Sequence, residues 1–188
     1  LQLISGLKTA IQVIPNGFDT DFWKDLGMER VKQSFISVAT HTSTPARARV
    51  KGYDLIAKLA AKNPDWSFTL VGDANYQATS PNILVLGKER PEALVQLYNT
   101  HEFYLQLSSS EGFPNALGEA MACGCIPIGS AVGAIPEILG DTGLLLKRKA
   151  LGALQQLIQD LMDGKTKLTS PRARIESYFT YGHRQKLL

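Results

Sequence analysis

Short apolar runs alternate along the chain with stretches that have helical spacing. The predicted strands are Ile11–Ile14, Phe35–Ala39, Phe68–Val71, Ile83–Leu86, Phe103–Leu107, Ile126–Ile128 and Leu144–Leu146. The predicted helices are Tyr53–Ala61, Pro91–Tyr98, Pro114–Cys123, Leu151–Leu161 and Arg172–Leu188. Strands that are apolar on both faces and separated by helices are typical of βαβ units around a buried parallel sheet. The pattern therefore predicts an α/β fold with a doubly wound parallel sheet.

The loops that follow the predicted strands are the expected location of a binding site. In open α/β sheets, ligands bind beyond the carboxyl ends of the strands. Four loops lie there: Thr40–Lys51, Gly72–Pro81, Gly87–Arg90 and Ser108–Ala116. The first is long and carries Arg47, Arg49 and Lys51, and the last is the most specific feature of the chain.

Composition indicates an ordinary globular protein. The chain has 188 residues, of which 44% are hydrophobic and 20% charged, so we expect one domain over residues 1–188. The net charge of +3 is too small to indicate a nucleic-acid-binding protein. The longest uncharged stretch, Ala120–Pro136, is shorter than a membrane-spanning helix and contains several Gly and Pro residues. No signal peptide is recognisable.

The two cysteines, Cys123 and Cys125, are separated by one residue. This spacing suits a disulfide poorly, and the three histidines do not add a zinc-binding spacing. We expect both to be small buried residues in a reducing compartment.

The loop after the strand at Phe103–Leu107 combines two carboxylates with the start of a helix. Pro114 is predicted at the first helical position, where its missing N–H costs nothing. Glu111 precedes the helix and Glu119 lies about one turn inside it. The free N–H groups of Asn115 and Ala116 suit an anion such as a diphosphate. A single Glu at either place is usually a cap or a solvated charge, but the pair predicts a site that accepts hydrogen bonds from two sets of hydroxyls.

The same segment carries a family resemblance. Glu111 and Glu119 are the ends of a Glu-x7-Glu pattern within Glu-Gly-Phe-Pro-Asn-Ala-Leu-Gly-Glu-Ala, which resembles the signature of the group 1 (family 4) retaining glycosyltransferases. Further similar segments follow the family's order: Val13–Asp19, Lys51–Leu55, Gly133–Ile138 and Thr142–Leu145. The resemblance covers roughly residues 11–188 and implies the C-terminal, Rossmann-like half of a two-domain GT-B fold.

The resemblance also implies roles for individual residues. Glu111 would bind hydroxyls of the donor hexose near the reacting carbon, and Lys51 would neutralise the diphosphate, so these two are the candidate catalytic residues. Glu119 would bind the ribose of the nucleotide. The other candidate donor-binding residues are Gly112, Phe113, Asn115 and Ala116 at the helix start, and Leu86, Gly87 and Lys88 beside the base.

One departure from the family concerns a second phosphate clamp. The family usually has a Gly-Arg pair after the second strand, where this chain has Ala39-Thr40-His41. Arg47 or Arg49 would replace that arginine, although a solvated basic loop is an equally good interpretation.

The implied function is transfer of a hexosyl group from a UDP-, GDP- or ADP-linked sugar to a glycan or lipid-linked acceptor. The resemblance implies that the sugar keeps its anomeric configuration and that no metal or other cofactor is needed. It also implies a role in surface polysaccharide or glycoconjugate biosynthesis. The expected location is the cytoplasm, with peripheral contact at the inner face of the membrane. Residues 1–10 would be the rest of a linker from a missing N-terminal domain, which would bind the acceptor. The helix at 172–188 would pack back on that domain, with Phe179 and Leu187 exposed, and the chain alone would be inactive.

The sequence lacks the motifs of two other classes of nucleotide-binding enzyme. A dehydrogenase would need Gly-x-Gly-x-x-Gly and a P-loop NTPase Gly-x4-Gly-Lys-Ser/Thr, and neither pattern is present. A non-catalytic module that binds nucleotide sugars and a GT-B-type sugar-nucleotide epimerase remain as alternatives.

Overall fold

A computed structural model describes residues 13–188 of the chain, which form a parallel sheet covered on both faces by helices. The strands are β1 (Val31–Val38), β2 (Ser67–Val71), β3 (Ile83–Leu86), β4 (His101–Gln106), β5 (Ile126–Ser130) and β6 (Leu144–Leu146). The helices are α1 (Pro45–Lys51), α2 (Tyr53–Lys62), α3 (Pro91–Thr100), α4 (Asn115–Ala122), α5 (Ile135–Leu139), α6 (Leu151–Met162), α7 (Pro171–Tyr178) and α8 (Tyr181–Leu187).

The strand order is β3-β2-β1-β4-β5-β6, and every neighbouring pair is parallel. This is the doubly wound order in which the chain turns from one direction to the other between β1 and β4. The predicted fold class is therefore confirmed. None of the helices in the described residues is long and apolar enough to cross a membrane.

Apolar side chains on both faces of the strands form two core layers. On one face, Phe35 of β1 is in register with Phe68 of β2 and Phe103 of β4, and the ring centroids are 4.9 and 4.8 Å apart. This layer packs against α2 and α6. The neighbouring residues Ile36 and Tyr104 point to the other face, where α3, α4, α5 and α7 pack. Burial on both faces is what the continuous apolar runs predicted.

Several predicted boundaries are wrong. Residues 45–51, expected to be loop, form helix α1, so Arg47, Arg49 and Lys51 are helical. Pro114 is the N-cap of α4 and not its first helical residue. Of the predicted strand Ile11–Ile14, residues 13 and 14 are not in a strand, and residues 11 and 12 lie outside the described residues, as does the predicted linker at 1–10.

The predicted C-terminal helix at 172–188 is in fact two helices. The break falls at Phe179 and Thr180, and the Thr180 hydroxyl caps α8 by accepting from the N–H of His183 at 3.2 Å. Phe179 is only 4% exposed, so its predicted exposure is wrong. Its ring is buried beside Phe113 and under the Arg174 guanidinium, and its carbonyl accepts from the N–H of Phe18. Leu187 is exposed, as predicted.

Both cysteines are buried and free, as expected. Burial raises the pKa of each thiol to about 12. Neither thiol is therefore a nucleophile at neutral pH.

The close packing of Phe18 on α4 gives a stability test at Gly118. A Cβ at Gly118 would lie 2.1 Å from Cζ of Phe18, a ring that is almost fully buried. We expect Gly118→Ala to lower the free energy of unfolding by about 1–3 kcal/mol in urea denaturation, because the core is overpacked.

Gly152 of α6 is the matched control. A Cβ there meets nothing within 4 Å, so Gly152→Ala should raise the free energy of unfolding by about 0.5–1 kcal/mol. Equal stability of the two variants would show that the Phe18 contact does not require glycine.

Candidate active site

The candidate site lies at the carboxyl ends of β1 and β4, where the strand order reverses. The loop after β4 carries Glu111, and α1, which follows β1, ends at Lys51. The Lys51 Nζ lies 2.5 Å from the Glu111 Oε1, and the two side chains are only 20% and 14% exposed. The structure thus joins the two predicted catalytic residues in one partly buried ion pair.

The Glu111 carboxylate is oriented by two further donors. The Ser108 hydroxyl donates to Oε1 at 3.0 Å, and the Gln106 side-chain amide donates to the same oxygen at 3.2 Å. Gln106 is itself fixed by the Tyr104 hydroxyl, which donates to its Oε1 at 3.1 Å. One carboxylate oxygen is therefore held by three donors, and Oε2 makes no hydrogen bond with the described residues. That oxygen is free to accept from a ligand.

The backbone holds α1 against the Glu111 loop. Gly52 has a φ of +83°, and a Cβ on it would lie 2.3 Å from the carbonyl oxygen of Leu107. Next to this contact, the N–H of Ser109 donates to the carbonyl of Val50 at 2.8 Å. The position of Lys51 is thus set by a close approach that only glycine permits.

The loop between β5 and α5 supports Glu111 from the other side. Gly133 has a φ of +54°, and a Cβ there would lie 2.1 Å from the carbonyl oxygen of Glu111. The N–H of Ala134 donates to the Gly112 carbonyl at 3.0 Å. Gly133 and Ala134 open one of the segments that carry the family resemblance, so part of that segment has a direct role in holding the site.

The start of α4 presents two free donors beside Glu111. The N–H groups of Asn115 and Ala116 form no hydrogen bond with the described residues, which suits an anion at the positive end of the helix. Phe113 is turned toward the protein, between the rings of Phe18 and Phe179. The Asn115 side chain accepts from the Asn16 amide at 2.8 Å. Gly112 is exposed, with open space where a Cβ would be.

Glu119 lies deeper in α4 than the other candidates. The Tyr98 hydroxyl donates to its Oε2 at a long 3.4 Å, and burial raises the pKa of this carboxyl to about 7. Glu119 and Asn115 line a cavity of about 250 Å³ that Glu111 does not line. The two carboxylates of the motif therefore face different parts of the site, as two sets of hydroxyls would require.

The basic residues that were predicted to bind the donor lie in two different parts of the structure. Arg47 and Lys88 line one cavity of about 490 Å³, together with His41, near the carboxyl ends of β1 to β3. Arg49 does not line it, and its carbonyl instead accepts from the Lys149 ammonium at 2.7 Å. Arg47 and not Arg49 is therefore placed with another candidate donor-binding residue.

The candidates at the end of β3 form its junction with β2. The carbonyls of Leu86 and Gly87 both accept from the N–H of Gly72, at 3.1 and 3.0 Å. Leu86 and Gly87 are half-buried, whereas Lys88 is exposed.

Sequence reasoning missed Gln106, Ser108 and Tyr98. Gln106 is a polar residue at the end of an otherwise apolar strand, just before the motif, and that signal could have indicated a role near Glu111. Tyr98 comes from α3, and no spacing in the sequence connects it with Glu119.

Comparisons with known proteins identify the family. The model of "Glycosyl transferases group 1" matches residues 46–164, more than half of the chain. D-inositol 3-phosphate glycosyltransferase of Corynebacterium aurimucosum is 30% identical over 183 residues, covering 80% of this chain and 43% of that protein. The chain spans less than half the length of the curated relatives that it matches.

Solved structures share the fold. The C-terminal domain of the group 1 glycosyl transferase LpcC from Francisella tularensis has a TM-score of 0.66 at 21% identity, covering 88% of this chain and 100% of that one. Anabaena Alr3699/HepE in complex with UDP-glucose has a TM-score of 0.73 at 18% identity, covering 94% of this chain and 56% of that one. The sheet is thus the Rossmann-like domain of the GT-B glycosyltransferases, and the chain belongs to the group 1 glycosyl transferases.

Proposed function

We propose that this chain is the donor-binding domain of an enzyme that transfers a hexosyl group from a nucleoside-diphosphate sugar. The observation that carries the proposal is the ion pair of Lys51 with Glu111 at the switch point, beside the free N–H groups of α4. A carboxylate, a cation and a helix N-terminus together match a hydroxylated ligand that carries phosphates.

The sugar and the diphosphate would lie between Glu111 and α4. Glu111 accepts hydrogen bonds from hexose hydroxyls through its free oxygen, while the backbone at Gly112, Phe113, Asn115 and Ala116 binds the sugar and the diphosphate. Lys51 is a compact charge on a flexible stem, so it can contact the diphosphate without leaving Glu111.

The nucleoside would lie on the other side of the diphosphate. Glu119 accepts from the ribose hydroxyls, and Leu86, Gly87 and Lys88 flank the base. Arg47 is the better candidate for the second phosphate clamp because it shares a cavity with Lys88. Support for a nucleotide sugar as donor comes from HepE, whose structure was solved with UDP-glucose.

The reaction breaks the bond between the anomeric carbon and the diphosphate oxygen. Negative charge develops on the leaving diphosphate, and preorganised donors lower the barrier most where charge develops. Lys51 and the α4 N–H groups supply those donors, so the proposed transfer is metal-independent. We also propose that it retains the configuration of the sugar, and that the leaving phosphate takes the proton of the acceptor hydroxyl.

The acceptor and the setting are proposed from the family resemblance. The acceptor is a glycan or a lipid-linked glycan held mainly by another domain, in surface polysaccharide or glycoconjugate biosynthesis. The proposed location is the cytoplasm, with peripheral contact at the inner face of the membrane.

A thermal-shift screen of UDP-, GDP- and ADP-sugars tests the donor class. A ligand at one hundred times its Kd should stabilise the chain by about 2.7 kcal/mol. The best nucleotide from this screen is then used in the measurements below. Failure of every nucleotide sugar to raise Tm would contradict the proposal.

Glu119→Gln tests the ribose contact. At pH 8 the variant should bind the bare nucleoside diphosphate about 1.5–3 kcal/mol more weakly in calorimetry, because an ionised acceptor is lost. The hydroxyls favour the ionised carboxylate, whose pKa in the free protein is about 7. The ratio of the variant's Kd to the parent's Kd for the nucleoside diphosphate should therefore fall by up to about tenfold on going from pH 8 to pH 6. Equal affinities at pH 8 would remove this assignment.

Glu111→Gln and Lys51→Ala distinguish the proposed contacts with the sugar from those with the diphosphate. Glu111→Gln should weaken binding of the nucleotide sugar and leave the bare diphosphate at least as tightly bound, because Lys51 loses its competing partner. Lys51→Ala should weaken both by about 1.5–3 kcal/mol. Arg49→Ala is the control and should change neither. A Glu111→Gln variant that loses both ligands equally would indicate a structural role.

A transfer assay tests whether this domain is sufficient. We expect the chain to bind the donor and to transfer radiolabelled sugar negligibly, because aligning two reactants accounts for about 7–11 kcal/mol of a barrier and the acceptor is held elsewhere. The assay compares the chain alone with the chain plus its N-terminal partner domain supplied separately. Full turnover by the chain alone would overturn this expectation.

A further inference from the structure

The cavity at Glu119 has a cationic side chain in its wall to which the proposed donor contacts assign no role. Arg184 of α8 lines the same cavity of about 250 Å³ as Glu119 and Asn115. Among residues 13–188, Arg184 is the only Lys or Arg that lines this cavity, and Glu119 is the only acidic residue. The volume is below the range of about 300–1,000 Å³ that is typical of sites for whole ligands. The cavity therefore suits one part of a nucleotide sugar.

Contacts with the segment that precedes β1 set the position of α8. Phe18 pairs with Thr180 in a parallel β-bridge, just before α8 begins. A Cβ at Gly17 would lie 2.9 Å from the backbone N and Cα of Tyr181, so the first turn of α8 lies directly against this segment. Arg184 is three residues after Tyr181 and shares its face of the helix, and both side chains line the cavity.

Two hydrogen bonds connect the Arg184 guanidinium with the start of α4. The Arg184 Nη1 donates to the Asn16 Oδ1 at 3.3 Å, and the Asn16 side-chain amide donates to the Asn115 Oδ1 at 2.8 Å. Asn115 is the first residue of α4, and its own N–H forms no hydrogen bond with the described residues. An anion held at the positive end of α4 would therefore have the guanidinium nearby.

The two charges that line the cavity are not paired with each other. Arg184 forms no ion pair among residues 13–188, and Glu119 accepts there only from the Tyr98 hydroxyl, at 3.4 Å. A guanidinium binds phosphate oxygens, often through two parallel hydrogen bonds, whereas a carboxylate accepts from hydroxyls. A ribosyl phosphate presents both kinds of group side by side, so its chemistry matches the cavity.

We propose that Arg184 is a further donor-binding residue, which binds the phosphate next to the ribose while Glu119 accepts from the ribose hydroxyls. The inference rests on the proposed function, because it takes a nucleotide sugar as the ligand. Lys51 and Arg47 do not line this cavity. Arg184 therefore acts on the ribose side of the diphosphate, whereas Lys51, paired with Glu111, acts on the sugar side.

Calorimetry of Arg184→Gln with UDP, GDP and ADP tests this contact. Glutamine keeps an amide that can donate to Asn16, and it removes the charge. The variant should bind the nucleotide that the parent binds most tightly about five- to fiftyfold more weakly, because hydrogen bonds to a charged phosphate are lost.

Lys186→Gln is the matched control. Lys186 is exposed on the same helix and carries the same charge, but it does not line the cavity. Because a distant exposed charge is screened at physiological ionic strength, this variant should change the Kd less than about twofold. Both substitutions alter exposed side chains, so the free variants should have the Tm of the parent.

The role of Arg184 and the proposed function fail in different ways. If the parent binds none of the three nucleotides, both are contradicted. If the parent binds one of them and Arg184→Gln binds it equally well, the role of Arg184 alone is overturned. An equal loss of affinity in Lys186→Gln would also overturn it, since that result would indicate an effect of net charge and not a contact in the cavity.

Discussion

The contact between the Lys51 ammonium and the Glu111 carboxylate is the interaction on which the arrangement of the site depends. It joins two halves of the sheet, because Lys51 follows β1 and Glu111 follows β4. Two partly buried charges are costly to desolvate unless their geometry is good and the remaining lone pairs are satisfied. Ser108 and Gln106 meet that condition on the Glu111 side. The pair is therefore kept in place by its neighbours as much as by its own attraction.

The two carboxylates of the Glu-x7-Glu pattern are in physically different states. Glu111 has a cation and two neutral donors on one oxygen, whereas among residues 13–188 Glu119 has only the distant Tyr98 hydroxyl. Burial without compensation raises the pKa of Glu119 to about 7, so its full charge near neutral pH depends on donors that arrive with a ligand. The protein thus orients Glu111 in advance and leaves the pairing of Glu119 to the proposed ribose.

Local sequence patterns predicted the strands of the sheet. They failed for features that the spacing of apolar residues does not show or that depend on contacts with residues distant in the sequence. The apolar runs located β1 to β6 because those strands are buried on both faces. Helix α1 was missed because it is short and because the apolar residues of its sequence, Pro-Ala-Arg-Ala-Arg-Val-Lys, alternate with charged ones, which is not the spacing of an amphipathic helix. Phe179 was expected on the surface because nothing near it in sequence shows that its ring lies beside Phe113 or that its carbonyl accepts from the N–H of Phe18. Phe18 and Phe113 are both more than sixty residues away in the sequence, so periodicity cannot reveal these contacts.

The helical state of residues 45–51 matters for the electrostatics of the site. A helix presents its negative dipole end at its C-terminus, so Lys51 in the last turn of α1 is favourably placed. The same end would repel the proposed diphosphate unless its carbonyls were paired. The Arg49 carbonyl accepts from Gly52 and Lys149, and the Val50 carbonyl accepts from Ser109. With those groups occupied, the ligand would meet the Lys51 cation and the positive end of α4, so two helix termini of opposite sign can border one anion site.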